Sequence, residues 1–394
     1  MAAQTTRGCA FQYAAELGPF GSLGSLWSFT LRLFVGAATP NYASRIPPVI
    51  GLALEKSTRH PPLFPPQSGL SYIVSLHSPN APPPYTGSME RTILNPRHAC
   101  LLLILGFFTV HPPLAHAWGD EGHRIINRLA IFNLPSDAPA FLRSEAAIRE
   151  IEYLGPEPDR WRSPSEPELV DAQAPEHFID LELADALGPL PHRRFDFEAK
   201  VFAAGERPEK IGLQPWQTTE VWERLKAALR AYRHLAASGQ DTAPVEQAAI
   251  FYAGWLGHYV GDGSQPLHTT IRYNGWVGPN PNGYTTAHQI HWEFEGPFIG
   301  ANIHPPQVQA LIAPLQPIQG DVFDPYVAYL RQSATQVEQV YIFEKSGGFT
   351  GAGSAQSRAF AAERLAAGAS MLRDLIYSAW LQSAIPVKSP WEAQ

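Results

Sequence analysis

Apolar residues recur at spacings of three and four along much of the chain after residue 118, and this spacing is typical of amphipathic helices. The pattern predicts six helices, at 120–132, 138–152, 218–237, 243–263, 325–343 and 355–384. Thr242 is suited to cap the fourth helix and Gly263 to end it. Prolines and glycines at 155–167, 186–192 and 274–283 predict loops. Because alternation typical of strands is scarce, residues 118–394 are predicted to form a single compact all-α domain.

The first 88 residues show neither the helical nor the strand period. They hold only seven charged side chains and twelve prolines. We therefore predict that residues 1–88 are an unstructured extension, either disordered or upstream of the true start of translation.

Residues 89–117 have the order of a secretory signal peptide. Met89 is followed by Arg91 and Arg97, then by a largely apolar core at 99–110, and the segment ends with small residues at Ala115 and Ala117. The apolar core is too short for a stable membrane span, and a buried core helix is the alternative interpretation. The pattern predicts cleavage after Ala117 and a mature chain 118–394 that is secreted or periplasmic, without stable insertion in a membrane.

Removing residues 1–117 changes the charge and the cysteine content. Both cysteines, Cys9 and Cys100, lie in the removed part, which excludes disulfides and thiolate metal ligands from the mature chain. The removed part carries seven positive and three negative side chains, so the net charge of −7 becomes −11, from 22 positive and 33 negative groups. A basic surface is therefore excluded as the main way to bind nucleic acid.

The strongest candidate site is the string His258-Tyr-Val-Gly-Asp262-Gly-Ser-Gln-Pro-Leu-His268. His258 and Asp262 are four residues apart near the end of a helix, so they share one face. Pro266 then turns the chain and returns His268 to the same neighbourhood. Two imidazoles and a carboxylate suit a tetrahedral zinc ion. The alternative is a histidine at a helix end with a capping aspartate.

Two further motifs carry metal-ligand residue types. His291 and Glu295 are four residues apart, so one helical turn presents both, whereas His288 falls on a different side. Trp118-Gly-Asp-Glu-Gly-His123 stands at the predicted new N-terminus, where the amine released by cleavage would be a metal ligand. A solvated helix face is the alternative for the first of these motifs.

Taken together, the Trp-Gly start followed by Gly-His and the His-x3-Asp-x5-His string resemble the S1/P1 nucleases and bacterial C-type phospholipases, a zinc-dependent, all-α superfamily. The resemblance covers most of 118–295 and extends more loosely to about 384. It implies the single helical domain of that superfamily, and three zinc ions. The first would be held by the main chain of Trp118 with His123 and Asp262, the second by Asp159, His177, His258 and the same Asp262, and the third by His268, His291 and Glu295.

For two of these residues, the residues alone leave another interpretation open. Asp159 could form a salt bridge in its loop, and His177 could be a satisfied core histidine. His192, His234 and His304 match nothing in the family pattern and are predicted to be structural or on the surface.

The chemistry that the resemblance implies is phosphodiester hydrolysis. A bridged pair of zinc ions lowers the pKa of a shared water and takes up phosphate oxygens. Asp159 and Asp262 are expected to act in catalysis as ligands, and Arg162 matches the cation that stabilises the transition state. Three divalent ions also explain how an acidic chain could bind a polyanion.

Several features bear on the substrate. The short interval between Trp118 and His123, the long interval from His268 to His291, and the base-binding positions matched by Phe178 and Asp180 are nuclease-like. They predict single-stranded DNA or RNA as the substrate, with 3′-nucleotides as further candidates and no implied protein partner.

Two other residues differ from the nuclease pattern. Glu295 stands where nucleases usually have Asp and the phospholipases have Glu, and Ser264 replaces a usual His. The alternatives are therefore a phospholipase C acting on phosphatidylcholine-like lipids and a non-catalytic zinc-binding exported protein. The Asn- and Gly-rich loop 274–284 is expected to be a wall facing the substrate.

Overall fold

The computed structural model describes residues 118–387 and, nearer the N-terminus, residues 31–33 and 52–54. The chain divides into two units, 1–99 and 100–394. In the first unit, strands β1 (Leu31–Leu33) and β2 (Leu52–Leu54) pair antiparallel, with Leu31 opposite Leu54. The sequence pattern does not predict these strands. The predicted signal peptide, its cleavage site and the rest of the predicted extension lie outside the described residues.

Residues 118–387 form helices joined by turns and loops, without a strand in that range. The α-helices are α1 (Gly119–Phe132), α2 (Glu145–Leu154), α3 (Glu157–Arg160), α4 (Pro167–Gln173), α5 (Leu181–Ala186), α6 (Arg194–Ala203), α7 (Pro208–Ile211), α8 (Gln214–Ala237), α9 (Ala243–Ser264), α10 (Ile290–Glu293), α11 (Ile299–Asn302), α12 (Pro305–Gln309), α13 (Phe323–Ala334), α14 (Val337–Lys345) and α15 (Ala355–Gln382). Two 3₁₀ turns, Ala174–His177 and Pro266–Thr269, and one π-turn, Phe294–Phe298, complete the set. The prediction of an all-α fold is confirmed for this part of the chain.

Helix α9 lies at the centre of the domain. It packs against α8 on one side, against α15 on another, and also against α1 and α2. Every residue of α9 from Leu256 to Ser264 is buried, because the surrounding helices cover all of its faces there. Polar side chains at this end of the helix are therefore held inside the protein, where they need partners of opposite charge or a metal ion.

Glycines set the distance between α9 and its neighbours. A Cβ atom on Gly257 would lie 1.9 Å from the side-chain oxygen of Asn127 on α1. A Cβ atom on Gly261 would lie 2.8 Å from Nδ1 of His123, also on α1. Since real Cβ atoms do not approach so closely, both glycines are needed to bring α1 against the buried end of α9.

Several predicted helix ends differ from the structure. The helix predicted at 138–152 begins only at Glu145, because the Ser144 hydroxyl caps it by accepting a hydrogen bond from the Ala147 N–H. The helix predicted at 325–343 is two helices, interrupted after Ala334. Asp241, rather than Thr242, accepts from the first N–H of α9, and the helix continues one residue past Gly263.

The predicted loops are partly confirmed. Loop 274–283 has no helix, whereas the segment 155–167 contains the short helix α3. This single turn, with Pro158 in its first positions, is too short to give a hydrophobic period in the sequence.

Candidate metal centre

The last turns of α9 place His258 and Asp262 on one buried face, and both are fully inaccessible to solvent. Nε2 of His258 lies 3.4 Å from Oδ2 of Asp262. Nδ1 of His258 donates a hydrogen bond to the carbonyl of Gly155, at 2.8 Å. Because a carbonyl only accepts, the proton is fixed on Nδ1, and Nε2 is left as the atom able to bind a metal.

Two groups of ligand-type residues meet at Asp262. The first group is His123, His258 and Asp262, and the second group is Asp159, His177 and His258. In each group the ligand atoms lie within 4.8 Å of one another. Oδ1 of Asp262 is 3.4 Å from Nε2 of His123, and its Oδ2 is 3.1 Å from Nδ1 of His177. Asp262 therefore faces both groups with different oxygens, an arrangement that would allow it to bridge two metal ions.

The segments that carry the first two groups are held by packing and by Arg162. The His123 ring stacks on the His258 ring with a centroid distance of 4.1 Å, which the close approach of α1 at Gly261 permits. Asp159 lies in the single turn of α3, and its Oδ1 pairs with Nη2 of Arg162 at 2.7 Å. The loop salt bridge foreseen for Asp159 thus forms, beside the histidines rather than away from them.

The third group is His268, His291 and Glu295. Oε1 of Glu295 lies 3.1 Å from Nε2 of His268 and 2.8 Å from Nε2 of His291. Nδ1 of His268 donates to the carbonyl of His177, and Nδ1 of His291 to the carbonyl of Tyr273. His291 lies in α10 and Glu295 in the π-turn that follows, so they meet although the turn between them is not regular α-helix. Gln265 also donates to Glu295.

The two central carboxylates have opposite electrostatic settings. Burial raises the pKa of Asp262 to about 8, although His268 and Arg162 act in the other direction. Burial would likewise raise the pKa of Glu295, but His291 and His268 outweigh it and lower that pKa to about 2. Burial, with His123 and His177 close by, lowers the pKa of His258 and keeps it neutral.

The donor set of the three groups fits zinc. It consists of buried imidazole nitrogens and carboxylate oxygens, the types that zinc accepts where thiolates are absent. Within the described part of the chain, Oε2 of Glu295 is buried and has no hydrogen-bond partner, so a further ligand interaction is open to it. All of the predicted side-chain ligands are thus brought together in three buried groups.

Trp118 lies beside the first group and is completely buried. Its indole N–H is shared between the carbonyl of Gly261, at 2.7 Å, and the hydroxyl of Ser264, at 2.8 Å. Its ring packs edge-on against Phe294 with a centroid distance of 5.3 Å. Its backbone has a φ of 42°, which is uncommon for a residue other than glycine. The serine that departs from the nuclease pattern therefore contacts the predicted N-terminal residue.

A cavity of about 420 Å³ opens next to the second and third groups. It is lined by Arg162, Ala174, His177, Phe178, Asp180, Lys210, Leu267, His268, Tyr273, Asn274 and His291. Both predicted base-binding residues are among them. Burial, with a smaller contribution from Glu182, raises the pKa of Asp180 to about 7.

Five residues that line this cavity were not predicted as site residues: Ala174, Lys210, Leu267, Tyr273 and Asn274. Tyr273 and Asn274 belong to the segment that joins two ligand histidines, and Lys210 lies in the four-residue helix α7. Asn274 stands at the start of the Asn- and Gly-rich loop, and this position could have indicated Asn274 and its neighbour Tyr273 from the sequence. The remainder of that loop does not line the cavity; it contacts Glu338 and Tyr341 of α14 instead.

The remaining histidines do not belong to the three groups found among the described residues. His288 is exposed and hydrogen-bonds the carbonyl of Asn274. His192 lies between Asp321 and Asp324 at the surface, with Nδ1 2.8 Å from Asp321.

Comparisons with known proteins give no family for the chain. No protein-family model and no curated protein matches it. It is similar to the crystal structure of Clostridium perfringens alpha-toxin from avian strain SWCP, with 13% identity and a TM-score of 0.32 over 68% of this chain and 64% of the toxin. It is also similar to the alpha-toxin from Clostridium absonum, with 16% identity and a TM-score of 0.32 over 68% of this chain and 67% of that one.

The chain thus spans slightly less than two thirds of the first toxin. None of its described helices has both the length and the hydropathy of a membrane-spanning segment.

Proposed function

We propose that this chain is a zinc-dependent hydrolase of phosphoester bonds. The observation that carries the proposal is the position of Asp262, whose two oxygens face two adjacent groups of buried ligand residues. Such a bridging carboxylate is what a pair of metal ions needs. Bound zinc supplies an activated water at neutral pH and neutralises charge on phosphate oxygens.

The residues of the chain have distinct roles in this proposal. The paired ions would share Asp262. The first of them would also be held by Trp118 and His123, and the second by Asp159, His177 and His258. The third ion would be held by His268, His291 and Glu295. Arg162 is anchored by Asp159 and lines the cavity, so its guanidinium can stabilise negative charge on the phosphate. Asp159 thereby contributes both a ligand and the support of that cation.

Single-stranded nucleic acid is the substrate that the cavity supports best. The ring of Phe178 can stack on a base, an interaction worth about 1–3 kcal/mol that tolerates every base. Asp180, with its pKa raised to about 7 by burial, is partly protonated at neutral pH and can both donate to and accept from a base edge. A 3′-nucleotide would use the same contacts.

A phosphatidylcholine-like lipid is the second candidate substrate, favoured by one residue. Glu295, rather than Asp, is the carboxylate of the third group, and Glu is the residue that the sequence resemblance associates with the phospholipases. None of the comparisons names a nuclease, so both substrate classes belong in the same test. A non-catalytic zinc-binding protein is the third possibility that this test addresses.

The test uses purified chain 118–394 with single-stranded DNA, RNA or phosphatidylcholine vesicles, each with and without a chelator. Chelator-sensitive cleavage of the nucleic acids is the expected result. Cleavage of the lipid alone would select the phospholipase. If no substrate is cleaved while zinc is bound, the non-catalytic alternative replaces the enzyme.

We further propose that the protein is exported and cleaved after Ala117, to the outside of the cell or to the periplasm. Cleavage would convert the Trp118 amide into a free amine, in a residue whose indole already bonds to Gly261, the neighbour of Asp262. Sequencing the N-terminus of the exported protein tests this, and any first residue other than Trp118 contradicts it. A precursor with full activity would contradict the ligand role of the amine.

A further inference from the structure

A buried hydroxyl group holds the segment that connects the third group to loop 274–284. Tyr341 lies on α14 and is fully buried. Its Oη donates a hydrogen bond of 2.5 Å to the carbonyl of Arg272 and accepts one of 3.0 Å from the N–H of Gly275. One side chain thus fixes both ends of the dipeptide Tyr273-Asn274.

This dipeptide makes two contacts with His291. The carbonyl of Tyr273 accepts from Nδ1 of His291 at 3.0 Å, which keeps the proton on Nδ1 and directs Nε2 to Glu295. The side-chain oxygen of Asn274 accepts from the backbone N–H of His291 at 3.4 Å. Both residues also line the cavity. The orientation of His291 and the shape of this wall therefore depend on the same two residues.

The backbone at this position requires a glycine. Gly275 has a φ of 118°, and a Cβ atom there would lie 2.9 Å from the carbonyl oxygen of Thr286. The next residue, Trp276, packs perpendicular to the Tyr341 ring with a centroid distance of 5.1 Å. Burial raises the pKa of Tyr341 to about 12, so its hydroxyl remains a donor at physiological pH.

We propose that Tyr341 is a positioning residue for the third metal site and for the cavity wall next to it. It acts through the backbone of Arg272 and Gly275 on Tyr273 and Asn274, and through these on His291. The inference rests on the proposed function, since it assumes that His291 holds a zinc ion.

The test is Tyr341→Phe, which removes the hydroxyl and keeps the ring against Trp276. The matched control is Tyr284→Phe. Tyr284 belongs to the same loop and contacts the same tryptophan ring at 4.7 Å, but its hydroxyl donates to Glu338 at 2.7 Å, away from His291. His291→Ala serves as the reference for loss of the third ion.

The measurements are zinc affinity by chelator competition, kcat and KM, and the melting temperature of each protein. Tyr341→Phe is expected to lower the affinity for one of the zinc ions by about tenfold and to raise KM. Residues that contact the metal ligands, without binding the metal themselves, contribute about 10–100-fold to metal affinity. Tyr284→Phe is expected to bind zinc and substrate like the wild type.

Equal zinc affinity and KM in the two variants would overturn the inference, even if both melt at a lower temperature. Wild-type protein that binds no zinc would overturn the proposed function and the inference with it. Wild-type protein that binds zinc and is active, beside an unaffected Tyr341→Phe, would overturn the inference alone.

Discussion

Asp262 and Glu295 are both buried carboxylates that face histidines, yet their charges are stabilised in different ways. The pKa of Glu295 is lowered to about 2 because His291 and His268 outweigh the effect of burial. Against burial, Glu295 raises the pKa of His291, and Asp262 together with Glu295 raises the pKa of His268. The pKa of Asp262 is raised to about 8 because His268 and Arg162 offset burial only in part, and its neighbour His258 is kept neutral. The third group can therefore exist as an ion pair without metal, whereas the ionised form of Asp262 would gain more from a bound cation.

The first two groups, which meet at Asp262, and the third group also differ in the helices and turns that carry their ligands. Asp262 and His258 stand on the buried end of a 22-residue helix, and His123 comes from a second long helix. The third group is assembled from a 3₁₀ turn, a four-residue helix and a π-turn. We expect the first two groups to be rigid and dependent on metal, and the third group to depend on contacts such as that of Tyr341.

The largest expected effect is a loss of kcat/KM when either of the two carboxylates is replaced by its amide. Asp262→Asn removes the charge that bridges two sites and should lower kcat/KM on the order of 10³-fold, the scale of losing a principal transition-state contact. Glu295→Gln leaves the paired sites intact and should cost less, about 10–100-fold. Steady-state kinetics of both variants check the order. A larger loss in Glu295→Gln would break the comparison between the two regions.

Chelation is the next largest effect, measured as a change in the free energy of unfolding. For each zinc ion that was present at about 100 times its Kd, removal should cost about 2.7 kcal/mol. The sign of the pH dependence follows from Asp262. Because its folded pKa is raised to about 8, its ionisation destabilises the metal-free fold as the pH rises from about 4 to 8, whereas bound zinc favours the ionised form.

The difference in unfolding free energy between zinc-loaded and chelated protein should therefore be greater at pH 8.5 than at pH 6. Thermal or urea denaturation at the two pH values measures it. A difference that shrinks as the pH rises would show that Asp262 does not behave as described.

Asp180 provides a smaller test of the same burial effect at the cavity. Burial raises the pKa of Asp180 in the folded protein to about 7, above its pKa in the unfolded chain. Ionisation of Asp180 therefore lowers the stability of the fold as the pH rises between these two pKa values, and the full loss is present above pH 7. Asp180→Asn should therefore stabilise the protein on the order of 2 kcal/mol at pH 8 and have almost no effect at pH 4.

Asp185, on the helix that begins directly after Asp180, is the matched control. Its pKa is lowered by hydrogen bonds from Arg331 at 2.7 Å, so Asp185→Asn should not stabilise the protein at pH 8. Denaturation curves for both variants at the two pH values give the result. Equal shifts in the two variants would contradict a burial effect specific to Asp180.

The smallest expected effect is that of Ser264→Ala, which removes one of two acceptors from the Trp118 indole. A loss of about 1 kcal/mol in stability is expected, because Gly261 remains as an acceptor. Zinc binding at the first group should weaken, and the third group should be unaffected. Ser370→Ala removes another buried hydroxyl, which donates within α15, and is the control for stability alone. Weakened binding at the third group instead would contradict the separation of the two regions.

The sequence predicted the ligands better than it predicted the cavity. His258 and Asp262 are four residues apart on a long helix, so their shared face follows from periodicity. Grouping His123, Asp159 and His177 with them needed the family resemblance, since their distances depend on how α1, α3 and α9 pack. The role of Ser264 and the contacts of Tyr341 depend on long-range packing and leave no local pattern.

The long helices were predicted for the same reason, and the short ones were not. Helices α9 and α15 are long enough to show a hydrophobic period, and their predicted ends are within two residues of the structure. Helices α3 and α7 have one turn each, and α10 with its π-turn has no regular period. These short pieces carry Asp159, Lys210 and Glu295, so part of the site lies where periodicity gives no information.

Anomalous diffraction at the zinc absorption edge, from crystals of chain 118–394 grown with zinc, would locate the proposed metal ions directly. Three peaks per chain are expected, one on each side of the Asp262 carboxylate and one beside Glu295. A map without a peak next to Asp262 would contradict the proposal, because the bridged pair is the observation on which the proposed hydrolase depends.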